Sequence, residues 1–455
     1  MKSKAKTIRW IITAILLAAI IGGAVYLDRL LDIATGYAAK NMASAVFVSG
    51  RDPQEVQDLD LSFSIIKKTR SKVDYENGTV TSRLLWNKST ALYRPGFGVT
   101  LVKGIKLEKL RSLQYPLPLD IKYDPSTTEW PMGDLYDSSV DSLEEKRGAV
   151  RQIADAFVDE LSYGGHPFSF VVLHKGVPMV EKYAKGIDRG TKLLSWSMAK
   201  SFTEAVAGVM YGDGLVDIYA PMDIPEWKND NRKDITIDDL LRMHSGLKWN
   251  EDYGALSHVN IMLHAKFDMG LYAQEKELEY DPASHWYYSS GSTNIAMRYL
   301  MGRFPSAKDF YAYMRERLFF PIGIQEPIFE VDAAGVPVGS SYLYLRSLDF
   351  ARFGLLYLQD GVFNGRRVLP EGWVDYTATP TPGSADGYGS GFWLNKGGKC
   401  PDVPADMFSC NGHDGQQIYI IPSKGLVVTV NGFSHLPEGR IDFNRLLKDV
   451  IDALE

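Results

Sequence analysis

The chain has 455 residues, 45% hydrophobic and 23% charged, enough apolar material for one large or two fused globular domains. Its formal net charge is -6, spread along the whole length. No concentrated Lys/Arg patch stands out, which excludes nucleic acid as a partner.

The N-terminus predicts a compartment. Lys2, Lys4, Lys6 and Arg9 precede Trp10 to Leu27, a stretch without charge. At about 1.5 Å per residue it makes a helix of roughly 27 Å, just enough for the hydrocarbon of a bilayer. The cations hold residues 1–9 in the cytoplasm and send everything after Asp28 to the far side. AIIGGA resembles a processing site, but the apolar run continues through VYL, beyond the short core of a cleavable signal. The expectation is an uncleaved single-pass anchor at 10–27 in the cytoplasmic membrane of a bacterium, with the bulk of the chain periplasmic.

Residues 28–145 read as a membrane-proximal extension. YLDRLLDIATGYAAKNMASAVF carries the first helix past the bilayer, and VTSRLLW and GFGVTLV read as strands between turns. PLPLDIKYDPSTTEWPMGD reads as an extended, Pro-rich wrap. From 146 to 455 the texture is that of one domain. EEKRGAVRQIADAFVDEL has helical spacing, and FSFVVLHKG with VPMVEKYAKG forms a hairpin turning at Lys175-Gly176. SMAKSFTEAVAGVMYGDG is a helix ending at glycines, and ITIDDLLRMHSGL a shorter one capped by Thr236. QQIYIIPSKGLVVTVNG gives two strands, and RIDFNRLLKDVIDALE an amphipathic closing helix. Strands at both ends and helices between them predict one sheet assembled from the two ends of this domain. Cys400 and Cys410, in GGKCPDVPADMFSCNG, are either a disulfide of the oxidising compartment or two free thiols.

Ser197-Met198-Ala199-Lys200 is the first candidate for chemistry. In the first turn of a helix, residues three apart share a face, so the amine lies beside the hydroxyl. A serine hydroxyl needs an adjacent base, and a lysine serves only when burial or a neighbouring cation lowers its pKa. The pattern alone is weak: Ser64-Ile65-Ile66-Lys67 repeats it in LDLSFSIIKK, in a strand-like setting. Tyr288, in DPASHWYYSSGSTN, supplies a phenol that acts as a partial phenolate or as a proton relay, unless it is a core tyrosine. His413-Asp414-Gly415 stands at the entrance to a strand. Gly415 permits close backbone approach, which leaves the Gln416 amide, with that of Ser197, to donate to an oxyanion. Tyr253, in KWNEDYG, is a cleft residue or a packing residue. No metal-ligand cluster accompanies His413.

Together these residues resemble the serine β-lactamase and penicillin-binding protein superfamily, and within it the class C-like esterases and the 6-aminohexanoate-dimer hydrolases. WSMAKSF is similar to the first motif, on Ser197 and Lys200. Tyr288 to Ser290 resembles Tyr-x-Asn, with Ser290 in place of asparagine, and His413 to Gly415 stands where many lactamases have Lys-Thr-Gly. Segments 235–247, 339–354 and 388–393 resemble structural stretches of the same family. The resemblance implies an α+β fold, an α/β/α sandwich around an antiparallel sheet with a helical domain. It also implies acyl transfer without cofactor or metal. Ser197 is then the nucleophile, Lys200 and Tyr288 handle its proton, Ser197 and Gln416 form the oxyanion hole, and Ser290, His413, Gly415 and Tyr253 meet a small ester or amide substrate. The departures at Ser290 and His413 imply poor β-lactam turnover, which a direct hydrolysis assay tests. A peptidoglycan D-amino-acid peptidase and a non-catalytic envelope protein are the alternatives to an esterase or amidase.

Overall fold

The computed structural model describes residues 2–113, 123–136, 144–254, 256–434 and 439–455, with side chains from Lys6 onward. Residues 116–122 of the Pro-rich stretch lie outside the described residues.

One unbroken helix, Lys2–Phe47, opens the chain. Its apolar side chains from Ile8 to Tyr26 point outward on all sides, each large one 50% to 68% exposed. By length and composition the helix can cross a membrane, a property that signal sequences share. Beyond Leu27 its character changes. Leu31, Ala34, Ala38, Met42 and Ala45 recur at spacings of three and four and are buried. The small alanines let the helix lie close across a four-stranded antiparallel sheet of β1 (Arg70–Asp74), β2 (Thr79–Leu84), β3 (Asn87–Arg94) and β4 (Gly98–Leu101). Val80, Ala91, Val99 and Leu101 meet it there. Ser64 has φ 46°, which a strand does not allow, and a short 3-10 turn follows at Ile66–Lys68. The second Ser-x-x-Lys therefore sits in a turn and not in the expected strand.

The extension is fastened to the rest of the molecule. Lys40 forms an ion pair with Glu330, and both are buried. Glu330 Oε1 accepts from Ser44 Oγ at 3.0 Å and from the Val99 amide at 2.7 Å. Gly36 passes so close to His264 that a Cβ there would stand 2.7 Å from the His264 carbonyl oxygen. Lys40→Met leaves a carboxylate buried without its cation, and the expected loss is about 3–5 kcal/mol of stability. Urea unfolding checks this: Lys40→Met should lose clearly more than Lys40→Met/Glu330→Met, and equal losses would contradict it.

The remaining chain builds a six-stranded antiparallel sheet in the order β12-β13-β14-β15-β5-β6. Its members are β5 (His166–His174), β6 (Val177–Tyr183), β12 (Trp393–Leu394), β13 (Phe408–Asn411), β14 (Gln417–Ile421) and β15 (Leu426–Phe433). The expected joining of both ends is the β15–β5 pairing, with Val428 opposite Val172. Lys175 at φ 50° and Gly176 at φ 80° make the hairpin turn, both in the left-handed region that a two-residue turn needs. Along β5 the side chains alternate between two cores. Phe170 and Val172 meet helices Glu144–Val158 and Phe443–Leu454, while Val171 and Leu173 join the core around helices Ala199–Gly212 and Ser347–Leu358. Cys400 lies in the first of these cores and Cys410 in the second. Both thiols are buried and free, which removes the disulfide alternative.

Shorter strands complete the framework: β7 (Lys192–Leu194), β8 (Ile328–Phe329) and β9 (Leu343–Arg346) form a small sheet, and β10 (Val362–Phe363) and β11 (Arg366–Arg367) a hairpin. Between β7 and β8 the chain is helical, including Ile237–Leu241, His258–Ala265 and Ser290–Met301. Thr236 caps the first as predicted, in a reciprocal pair of bonds with Asp239. The architecture is α+β, a sheet covered on both faces beside a helical region.

Candidate active site

β7 delivers the chain to Ser195, whose amide donates to the Leu343 carbonyl of β9 at 2.8 Å. Trp196 follows at φ 44°, a left-handed conformation that a bulky residue adopts only when its surroundings hold it there. A 3-10 turn, Trp196–Met198, then runs into helix Ala199–Gly212. Ser197 therefore sits on the turn feeding the helix, one step earlier than the sequence suggests, and Lys200 remains on its side.

Lys200 is almost wholly buried, and its Nζ has three oxygens around it: Ser197 Oγ at 2.9 Å, Ser290 Oγ at 3.0 Å and the Ser340 carbonyl at 3.0 Å. Two of these partners can only accept. A carbonyl has no proton, and the Ser290 hydroxyl directs its own proton to Glu251. In the structure Nζ donates to all three; in the neutral form its two N–H groups suffice for the carbonyl and Ser290, which leaves the lone pair for the Ser197 hydroxyl. Burial pushes the Lys200 amine down to about 8, while the Glu251 carboxylate pulls it the other way by favouring the ammonium.

Tyr288 closes the arrangement from the loop before helix Ser290–Met301. Its ring lies over the Lys200 Nζ, 4.8 Å from centroid to nitrogen. Burial pushes this phenol well above its ordinary value, so it is protonated at neutral pH. Of the two alternatives, the raised value favours the proton relay over the phenolate. Trp393 and Tyr388 hold the ring, at 5.3 and 5.9 Å between centroids.

Glu251 is the residue that motif reasoning misses. It accepts from the Ser290 amide at 2.9 Å, the Ser290 hydroxyl, Trp249 Nε1 at 2.5 Å and the Tyr253 hydroxyl at 3.1 Å. Its one sequence signal was its place two residues before Tyr253. Ser290 is fully buried and lies behind Lys200 and not on an exposed wall, so it touches the amine instead of anything in the cleft. Tyr253, 43% exposed, stacks on His413 at 5.8 Å, and Trp196 meets the same imidazole edge-on at 5.6 Å.

The turn between β13 and β14 carries His413 to Gln416. Asp414 at φ 61° and Gly415 at φ 89° give its shape. A Cβ on Gly415 would approach Ser434 and Ile441 to 3.1 and 3.2 Å, so packing beneath the turn requires the glycine as much as any approach from above. Gly412 lies against the Ser195 carbonyl, which a Cβ would meet at 2.3 Å, and this presses the turn onto the segment leading to Ser197. The Gln416 side chain turns inward, accepting from Asn431 Nδ2 and the Gly432 amide, both at 3.2 Å.

A cleft of about 740 Å³ opens beside this group; Trp196, Tyr253, Trp393 and His413 line it, while Ser197, Lys200 and Tyr288 lie behind its lining residues. Among the described residues, Asp238, Asp239 and His244 bring three potential metal-ligand atoms together. Their carboxylates are already engaged, Asp238 by Arg242 at 2.8 Å and Asp239 by the Thr236 cap.

Residues 145–448 match the model of the beta-lactamase family. No curated protein matches the chain. Similar solved structures include a Bacillus anthracis protein assigned as a 6-aminohexanoate-dimer hydrolase, 22% identical over 65% of this chain and 80% of that one, with a TM-score of 0.54. A Bacteroides dorei protein assigned as a beta-lactamase is 17% identical over 70% of this chain and 99% of its own, TM-score 0.53. A family VIII carboxylesterase is 17% identical over 68% and 96%, TM-score 0.50. Identities this low speak for the fold alone. With more than half its length inside the matched model and its fold shared with these structures, the chain belongs to the beta-lactamase family.

Proposed function

We propose that this protein is a serine hydrolase that cleaves an ester or short amide through an acyl-enzyme on Ser197. Family membership supports hydrolase activity in general. The observation that carries the specific reading is the buried Lys200 amine, 2.9 Å from the Ser197 hydroxyl and with its other partners committed as acceptors. Ser197 Oγ attacks the carbonyl carbon as its proton passes to Lys200. The amides of Ser197 and Gln416 serve the oxyanion. The Tyr288 phenol gives its proton to the leaving oxygen or nitrogen as that bond breaks, and takes one back from the Lys200 ammonium. Water then adds to the acyl carbon along the same relay, releasing the acid and restoring Ser197. In this reading Tyr253, His413 and Gly415 face the substrate, and Ser290 with Glu251 positions the amine.

The domain reading accompanies it: a cytoplasmic tail at 1–9, an anchor at 10–27, an extension at 28–145, and a hydrolase domain at 146–455 outside the cytoplasmic membrane. The outward-facing apolar half of the first helix supports the anchor.

The direct test is hydrolysis of p-nitrophenyl acetate by the full chain in detergent, beside D-alanine release from D-alanyl-D-alanine. Ester turnover is expected. D-alanine release without ester turnover would favour the peptidase, and neither activity would favour the non-catalytic envelope protein.

A pH profile follows from the buried amine. Lys200 acts only as the neutral base, so kcat/KM should rise with pH and level off above about 8. Glu251→Gln removes the anion that favours the ammonium, and the rising limb should move to lower pH. A limb that stays in place or moves upward would contradict this assignment of the base.

A further inference from the structure

We propose that the cleft beside Ser197 holds a long acyl chain, so that the substrate is a lipid-like ester and not a small polar one. The proposal rests on the hydrolase reading above and names its substrate class.

The N-terminal helix supplies the first observation. Leu30, Ile33, Ala34 and Tyr37 all line the cleft. Their spacing of three, four and seven puts them on one helical stripe. That stripe leads to the site, because the Tyr37 ring stacks on Trp196, the neighbour of Ser197, with centroids 6.2 Å apart and planes 20° from parallel. The facing walls add apolar surface among polar residues such as Asn395, Asn411 and Gln417. Ile65 comes from the turn after the helix, and Trp393 and Ile441 from the hydrolase body. Trp393 also packs on Tyr288, so each wall touches a neighbour or member of the Ser197–Lys200–Tyr288 group, Tyr37 through Trp196 and Trp393 through Tyr288.

Size and position agree with this occupant. A cleft of about 740 Å³ buries a whole small-molecule ligand, far more than a two-carbon acyl group fills. Each methylene moved from water to an apolar wall is worth roughly fourfold in binding. Eight residues back along the helix from Ala34, about 12 Å at its rise, begins the outward-facing apolar segment that ends at Tyr26. A helix that is a cleft wall at one end and an exposed apolar surface at the other places the cleft mouth where a bilayer, if it holds that segment, can supply acyl chains. In the reaction the ester R–CO–OR′ gives R–CO–Ser197 and R′OH, and water then gives R–COOH. The chain R stays in the cleft between the two steps.

The test uses the full chain in phospholipid nanodiscs. The first measurement is kcat/KM for p-nitrophenyl octanoate against acetate, in wild type and in Ile33→Asp and Ile65→Asp. The octanoate-to-acetate ratio should be at least about tenfold in wild type and fall at least about tenfold in both variants. A flat ratio in wild type, or one unchanged in the variants, overturns the proposal. The second measurement is binding of dansyl-undecanoic acid to Ser197→Ala, read by energy transfer from tryptophan. Saturable binding that Ile33→Asp weakens, with no ester hydrolysed by wild type, sinks the hydrolase reading but upholds the acyl cleft. Ester hydrolysis with no saturable binding does the reverse. Turnover of a fluorogenic ester lipid embedded in the nanodisc identifies the bilayer as the source of the chain, and turnover of soluble octanoate alone identifies solution.

Discussion

Ser197→Ala is expected to lower ester turnover by about 10⁴-fold or more, to whatever the remaining polarisation by backbone amides sustains. The substitution removes one oxygen from a partly buried turn position and leaves Lys200 its carbonyl and Ser290 partners, so folding should be unaffected. Lys200→Ala should fall nearly as far, because without the amine the hydroxyl has no acceptor for its proton. The two act as one unit, and the double variant should be no slower than the worse single one. Steady-state rates of the three variants decide it, and a double variant slower by the product of the two single losses would contradict a shared role.

Tyr288→Phe is the second large effect, and its size should depend on the leaving group. Phenylalanine keeps the ring over Lys200 and its packing on Trp393 and Tyr388, and loses only the hydroxyl. For an alkyl ester or an amide, whose leaving atom needs a proton, the expected loss in kcat is about 10²–10⁴. p-Nitrophenolate departs as the anion, so its ester should lose much less. Equal losses on the two substrates would mean that the phenol does not protonate the leaving group. The raised pKa of Tyr288 agrees with a donor that holds its proton until the bond breaks.

The parts of the fold legible in the sequence were those fixed by local chemistry. Lys175-Gly176 had to turn, Thr236 had to cap, and Ser197 and Lys200 had to share a side, because each depends on residues within a few positions. What escaped was set by contacts between distant segments. Glu251 carries no motif of its own and matters because Ser290, 39 residues later, donates to it. Ser290 fills a position that suggests a substrate contact, yet the folding of helix Ser290–Met301 against Lys200 buries it completely. The attachment of the extension was equally invisible, because Gly36 against His264 and Lys40 with Glu330 bind it to residues hundreds of positions away. Cys400 and Cys410, ten residues apart, are parted by the sheet that runs between them, and the alternation that sends neighbours to opposite faces is invisible until the strand is placed.

The most direct test is to treat the full chain with a fluorophosphonate and map the modified residue by peptide mass spectrometry. A single adduct on Ser197, formed faster above pH 8 than below 7 and absent from Ser197→Ala, is the predicted result. Adduct on another residue, or none on a folded protein, would contradict the assignment of Ser197 as the nucleophile.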